Sequence, residues 1–191
     1  MLEDATQLAQ FIDHTLLRPD ATLDDLAMAC EAAKTYRFAA LVVNGWQVNR
    51  AKAFLAGTGV KTATVVGFPH GARTTTVKIV EAMEAMKNGA EELDIVVNLG
   101  MAKSGKLDLV EIDVKNVIAM TKGVVHKVII ESGALTPGEI ADLCRIAVRS
   151  GAEFVKTSTG YGPRGATVED VRAIRAAVGS TCRIKASGGI K

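Results

Sequence analysis

The run Glu92-Leu93-Asp94-Ile95-Val96-Val97-Asn98 (ELDIVVN, residues 92–98) has the length and β-branched content of a strand, yet its two faces differ. Leu93, Ile95 and Val97 share one face; Glu92, Asp94, Val96 and Asn98 share the other. A parallel strand covered by helices on both sides is expected to be apolar on both faces. Polar groups inside a closed barrel, toward the ends of its strands, suit an active site built at the C-terminal ends of those strands. The run therefore predicts an α/β fold of the TIM (β/α)8 barrel type rather than a doubly wound sheet. The first strand also lacks the GxGxxG turn of a dinucleotide fold.

Six further β-type runs flank it: IDHTLL (12–17), AALVVN (39–44), TATVVGF (62–68), KVIIES (127–132), FVKTST (154–159) and RIKASG (183–188). Amphipathic segments with helix signals fill the gaps. In TPGEIADLCRIAVRSG, Thr136 is the expected N-cap, Pro137 the first helical residue, Glu139 the capping-box partner and Gly151 the stop. In TVEDVRAIRAAVG the same parts are Thr167, Asp170 and Gly179. Seven strands account for about seven of the eight βα units, and the sequence stops at SGGIK, just past the seventh. The expectation is one barrel domain over residues 1–191 that lacks a final helix-strand-helix, with either more chain or a second chain covering the edge.

With 191 residues and 48% hydrophobic content, the chain can bury a substantial core. Its 23 basic and 21 acidic residues are scattered without runs, which argues against nucleic acid and anionic membrane as partners and favours a small molecule. Cys30, Cys144 and Cys182 are odd in number and far apart, as expected of free thiols in a cytoplasmic protein. Glu3 and Asp4 stand where a signal peptide needs positive charge, and no apolar run approaches a membrane span. His14, His70 and His126 lack zinc spacing, so no metal is expected.

Alternation puts Phe154, Lys156 and Ser158 on one strand face, and Arg183, Lys185 and Ser187 on one face of the next. Lys156 and Lys185 are thereby candidates for one interior pocket. A free lysine has a pKa of about 10.4, and bringing it to neutrality costs on the order of 4 kcal/mol of differential interaction. Burial and a neighbouring cation both act in that direction, and the neutral amine is the form that attacks a carbonyl to make a Schiff base. The competing explanation is structural pairing of each lysine with an inward carboxylate such as Asp94 or Glu131. Asp13 shares a face with Thr15 and is a second acidic candidate, with a capping or loop role as its alternative. Gly160, Gly162 and Gly165 follow one lysine strand, and Gly188 and Gly189 follow the other. Such turns suit a phosphate group, ordinary turn geometry being the alternative. Arg164 either assists an anion there or is solvated.

Taken together, IDHTLL, TVVGFPHGA, ELDIVVNLGMAKSG, KVIIESG, FVKTSTGYGPRGATVEDV and IKASGGIK resemble the deoxyribose-phosphate aldolase family over essentially the whole chain. The resemblance implies a cofactor-free class I aldolase on a TIM barrel. Its reaction would be reversible cleavage of 2-deoxy-D-ribose 5-phosphate to D-glyceraldehyde 3-phosphate and acetaldehyde. By that resemblance Lys156 is the Schiff-base lysine, and Lys185 the second lysine that lowers its pKa and relays protons. Asp94 is the acid/base acting through water. Asp13, Thr15, Thr159, Gly160, Gly188 and Gly189 contact the substrate. The family is often dimeric, so a homodimer is the implied assembly. Tyr161 stands where some members have lysine, and VNG at 43–45 stands where many members read VNP, with Asn44 kept. The serine-containing turn that completes the phosphate site is expected beyond Lys191. A chain without it has an alternative reading, a phosphosugar-binding barrel impaired in catalysis.

Overall fold

The computed structural model describes residues 5–190; Glu3, Asp4 and the terminal Lys191 lie outside the described residues. All seven expected strands form, each followed or preceded by helix as the pattern requires. The chain groups into two compact units. One comprises the chain up to Val65 with Glu84–Leu93, the other Val66–Met83 with the chain from Asp94 onward.

The first unit begins with a short helix not anticipated from sequence, α1 (Ala5–Ala9), followed by β1 (Asp13–Leu16), α2 (Leu23–Tyr36), β2 (Ala40–Val43), α3 (Val48–Phe54) and β3 (Lys61–Val66). β1 and β2 are parallel with Asp13 opposite Ala40, and β2 and β3 are parallel with Ala40 opposite Lys61. Every residue of β2 is buried, so this strand is apolar on both faces, unlike the run at 92–98. Inside β3 the Thr64 hydroxyl donates to the Val43 carbonyl at 2.7 Å, which satisfies a buried polar group within the sheet. Glu91 fixes the start of the same strand: it accepts from the Thr62 amide and pairs with Lys52 and Lys61 at 2.9 and 3.0 Å.

Three elements cross the division: β3 at its last residue, Val66, α4 (Thr75–Lys87) and β4 (Glu92–Val96). The second unit continues with α5 (Leu99–Lys103), α6 (Leu107–Met120), β5 (Val125–Ile129), α7 (Pro137–Ser150), β6 (Phe154–Lys156), α8 (Val168–Val178) and β7 (Arg183–Lys185). β5, β6 and β7 are parallel, with Ile129 opposite Lys156 and Lys156 opposite Lys185. Both predicted capping boxes are present at Thr136/Glu139 and Thr167/Asp170, and Gly151 ends α7 in the left-handed conformation. Each such cap is worth about 1 kcal/mol. Ile140, Leu143, Cys144 and Ala147 bury the apolar face of α7.

The strands are shorter than their apolar runs. β6 stops at Lys156 rather than Thr159, and β5 stops at Ile129 because the backbone at Glu131 turns left-handed (φ 56°, ψ 58°).

A charge pair that the sequence reading did not single out lies fully inside the second unit. Lys78 of α4 reaches Asp113 of α6 at 2.6 Å and donates to the Val96 carbonyl at 2.8 Å, while the Thr75 hydroxyl donates to the other Asp113 oxygen. A side chain on Gly67 would collide with the Lys78 stem, at 2.9 Å from Cε, so the glycine is what admits the lysine. Among the described residues no helix is long and apolar enough to cross a membrane.

Candidate active site

β4, β5, β6 and β7 each contribute one charged residue to a single cluster in the second unit, and Asp94 is its hub. Asp94 Oδ2 accepts from Lys156 Nζ at 2.7 Å and from Lys185 Nζ at 3.0 Å. Its other oxygen faces Lys127 Nζ at 3.3 Å. Asp94 is fully buried, Lys127 and Lys156 are 2% and 4% exposed, and Lys185 is half-buried. The sequence reading offered either two neighbouring lysines or lysines paired to a carboxylate; both occur at once, on the same oxygen.

Lys127 was missed. Alternation in KVIIES puts Lys127, Ile129 and Glu131 on one face, the signal that could have found it. As the first residue of an apolar run it reads as a solvated strand end until the pairing with β6 sets Lys127 opposite Phe154. Its ammonium also lies 5.9 Å from the Phe154 ring centroid.

The electrostatics follow from burial first. Burial pushes the Asp94 carboxyl up, but the three ammonium groups of Lys156, Lys185 and Lys127 outweigh it and hold the group well below the usual carboxylate range. For Lys156 the largest influence is burial, which pushes the ammonium down. Asp94 opposes this, Lys185 and then Lys127 add to the lowering, and the net shift is downward. Depth within the strand layer thus contributes more than the second lysine to making the amine available.

Beyond the strands, the turns after β6 and β7 pack against each other. Gly160, Gly188 and Gly189 have φ of 89°, 85° and 76°, a region that side-chain-bearing residues rarely adopt. Gly165 is required for a different reason: a Cβ there would fall 2.0 Å from the Gly188 carbonyl oxygen. Gly165→Ala is expected to destabilise the protein by about 1–3 kcal/mol, read from urea denaturation, because the obstacle is backbone and cannot rotate away.

Arg164 is exposed, as one of its two readings has it, and its guanidinium also grips both oxygens of Asp170, the capping-box partner of Thr167. Glu131 is not a lysine partner, since it accepts from both the amide and the hydroxyl of Thr159. The Thr159 hydroxyl is thereby committed inside the protein, and it also accepts from the Tyr161 amide at 3.1 Å. Asp13 and Thr15 stand on β1 in the first unit, where Asp13 is half-buried and Thr15 is exposed, its hydroxyl donating to the Asp13 carbonyl at 3.0 Å. An open groove of about 590 Å3 between β7 and α8 is lined by Val171, Arg172, Arg175, Ala176, Ile184 and Ala186, none of them a member of the cluster. Among the described residues no group of three His, Cys, Asp or Glu side chains is arranged to hold a metal ion.

The profile of the family described as DeoC/LacD family aldolase matches residues 7–191. The chain belongs to this family. The DeoC/LacD relatives include a deoxyribose-phosphate aldolase of Caldanaerobacter subterraneus subsp. tengcongensis, 47% identical over an alignment that covers 99% of this chain and 83% of the relative. Another, from Aciduliprofundum boonei, is 47% identical over 98% of this chain and 85% of its own length. Among solved structures, the deoxyribose phosphate aldolase of Aeropyrum pernix, described as a tetramer, superposes with a TM-score of 0.92 at 33% identity, covering 99% of this chain and 80% of that one. Membership brings the α/β TIM-barrel fold of these aldolases, as the polar face of ELDIVVN predicted.

Proposed function

We propose that this chain is a deoxyribose-phosphate aldolase, cleaving 2-deoxy-D-ribose 5-phosphate reversibly to D-glyceraldehyde 3-phosphate and acetaldehyde through a Schiff base on Lys156. The observation that carries the residue assignment is the buried amine of Lys156, lowered in pKa, on an ionised Asp94 that also holds Lys185. The names of relatives nearly half identical over almost the whole chain support the reaction.

The neutral amine attacks the substrate aldehyde, and loss of water leaves an iminium. The bond between the second and third carbons then breaks, its electrons flow into the iminium, and the enamine of acetaldehyde remains while glyceraldehyde 3-phosphate leaves. Protonation of the enamine and addition of water release acetaldehyde and the amine. Asp94, held ionised, is the proton acceptor, and Lys185 on the same oxygen is the donor that restores the proton, with water between them and the substrate. Gly160, Gly188 and Gly189 would offer backbone N–H groups to the phosphate. Asp13 and Thr15, and Thr159 through its carbonyl, its amide being held by Glu131, would contact the sugar. The catalytic unit is read as one barrel-type domain over residues 1–191, cytoplasmic, with a homo-oligomer as its working assembly.

Incubation with acetaldehyde followed by borohydride reduction and peptide mapping tests the Schiff base directly. An adduct on Lys156 is the expected result; a folded chain with no adduct returns the protein to a phosphosugar-binding role. Lys185→Leu removes a like charge from beside Lys156, so the pKa of Lys156 rises. The pH profile of adduct formation should move upward by roughly one unit, with about tenfold less trapping at neutral pH. An unmoved profile would leave Lys185 as a proton carrier only.

A further inference from the structure

Glu131 is a buried carboxylate that the mechanism leaves unused. It stands two residues past β5 with a left-handed backbone (φ 56°), and it is 3% exposed. A carboxylate held deep in the protein on a backbone conformation that glutamate rarely adopts is fixed by its surroundings. Those surroundings are the turn after the Lys156 strand. Glu131 Oε2 accepts from the Thr159 amide at 3.1 Å and from the Thr159 hydroxyl at 2.5 Å. The hydroxyl in turn accepts from the Tyr161 amide at 3.1 Å, on the far side of Gly160. Oε1 is buried with no hydrogen-bond partner among the described residues, and a Cβ on Gly162 would lie 2.5 Å from it. Both carboxylate oxygens therefore face the turn 159–162 from beneath. The next residue ties the same region down again: the Ser132 amide donates to the Thr157 carbonyl at 2.8 Å, and the Ser132 hydroxyl donates to Asp170.

We infer that Glu131 is the positioning residue of the substrate's anionic end. It sets the turn 159–162 so that the amides around Gly160 converge on the phosphate, without touching the reacting carbon. The inference rests on the aldolase reading above. Glu131 anchors to Thr159, three residues past Lys156, so its loss should disturb anion recognition and spare the amine chemistry. Both Thr159 bonds end on one oxygen, so a neutral amide oxygen can replace it.

The test compares Glu131→Ala and Glu131→Gln with wild type in two assays: steady-state cleavage of 2-deoxyribose 5-phosphate, and borohydride trapping with acetaldehyde, which carries no phosphate. Glu131→Ala is expected to raise KM by about 10- to 100-fold while trapping at Lys156 stays within about twofold. Glu131→Gln should hold KM within about threefold of wild type. Should the alanine chain not fold, Glu131→Asp keeps the charge but withdraws the oxygens by one methylene, and the same split is expected of it. Equal loss in both assays, or no change in either, overturns the role of Glu131. A wild type that yields no adduct overturns the aldolase reading and this role together, whereas a wild type that traps beside an alanine or aspartate variant without the split overturns this role alone.

Discussion

A chain with Lys156 replaced by leucine is expected to fold, to give no borohydride adduct with acetaldehyde, and to cleave substrate about 10^4-fold or more slowly than wild type. Covalent catalysis has no substitute in this site, because Lys185 and Lys127 both remain engaged with Asp94. Stability should not fall with activity. Burial works against the charged form of Lys156, and Asp94 keeps two other cations when it is gone. Thermal unfolding of the leucine variant near neutral pH is therefore expected at or above the wild-type temperature. Arginine at 156 supplies the control. It keeps the charge, cannot become a neutral nucleophile and demands more room, so it should be equally inactive and less stable. An adduct that persists in the leucine variant would move the nucleophile to another lysine.

Asp94→Asn is expected to have the larger effect on folding, about 3–5 kcal/mol at neutral pH, because it leaves buried ammonium groups without their carboxylate. The pH dependence distinguishes this from loss of a hydrogen bond. In the native chain the depressed Asp94 carboxyl contributes stability that is fully present above about pH 4, where an unfolded aspartate ionises, and is lost as the pH falls through its folded value. Lys156 acts at the other end. Its folded value lies below the unfolded one of about 10.4, so between the two the unfolded chain binds more protons and stability rises with pH. Asp94 is what opposes that lowering, and without it the window extends further down. Urea denaturation at several pH values from 7 to 10 should show the deficit of the asparagine variant shrinking as the pH rises. A deficit independent of pH would mean that the carboxylate serves mainly through geometry.

What could be read in the residues, and what could not, divides along local and non-local lines. Thr136 with Glu139 and Thr167 with Asp170 mark their helices because a capping box is completed within four residues. Lys156 and Lys185 were legible as neighbours because each is the third residue of its β-run, and successive parallel strands align with little offset. Lys127 needed the register of β5 against β6, which no local pattern supplies. Glu131 looked like a strand carboxylate because alternation assumes that the strand continues, and the left-handed turn at that residue breaks the assumption. The Lys78 and Asp113 pair left a trace that went unread. Lys78 falls in line with Ala82 and Ala85, and Asp113 with Val110, Val114 and Val117, so each charge sits on the buried face of its helix. Opposite charges on two apolar helix faces predict such a pair only if the helices meet there, and that is a tertiary fact. The pairing of the exposed Arg164 with Asp170 is masked in the sequence because Asp170 reads locally as the capping-box partner of Thr167.

The strand ends separate two kinds of work. Asp94, Lys127, Lys156 and Lys185 all stand within strands, whereas Glu131, Thr159, Gly160 and Gly188 all come after them. The first group is locked into hydrogen-bonded ladders and makes the amine; the second is carried by short connections that can vary in length and composition. Inheritance of the chemistry and choice of the aldehyde are consequently open to selection at different positions. A lineage of such chains could exchange one acceptor aldehyde for another through its turns while its enamine chemistry passes on unaltered.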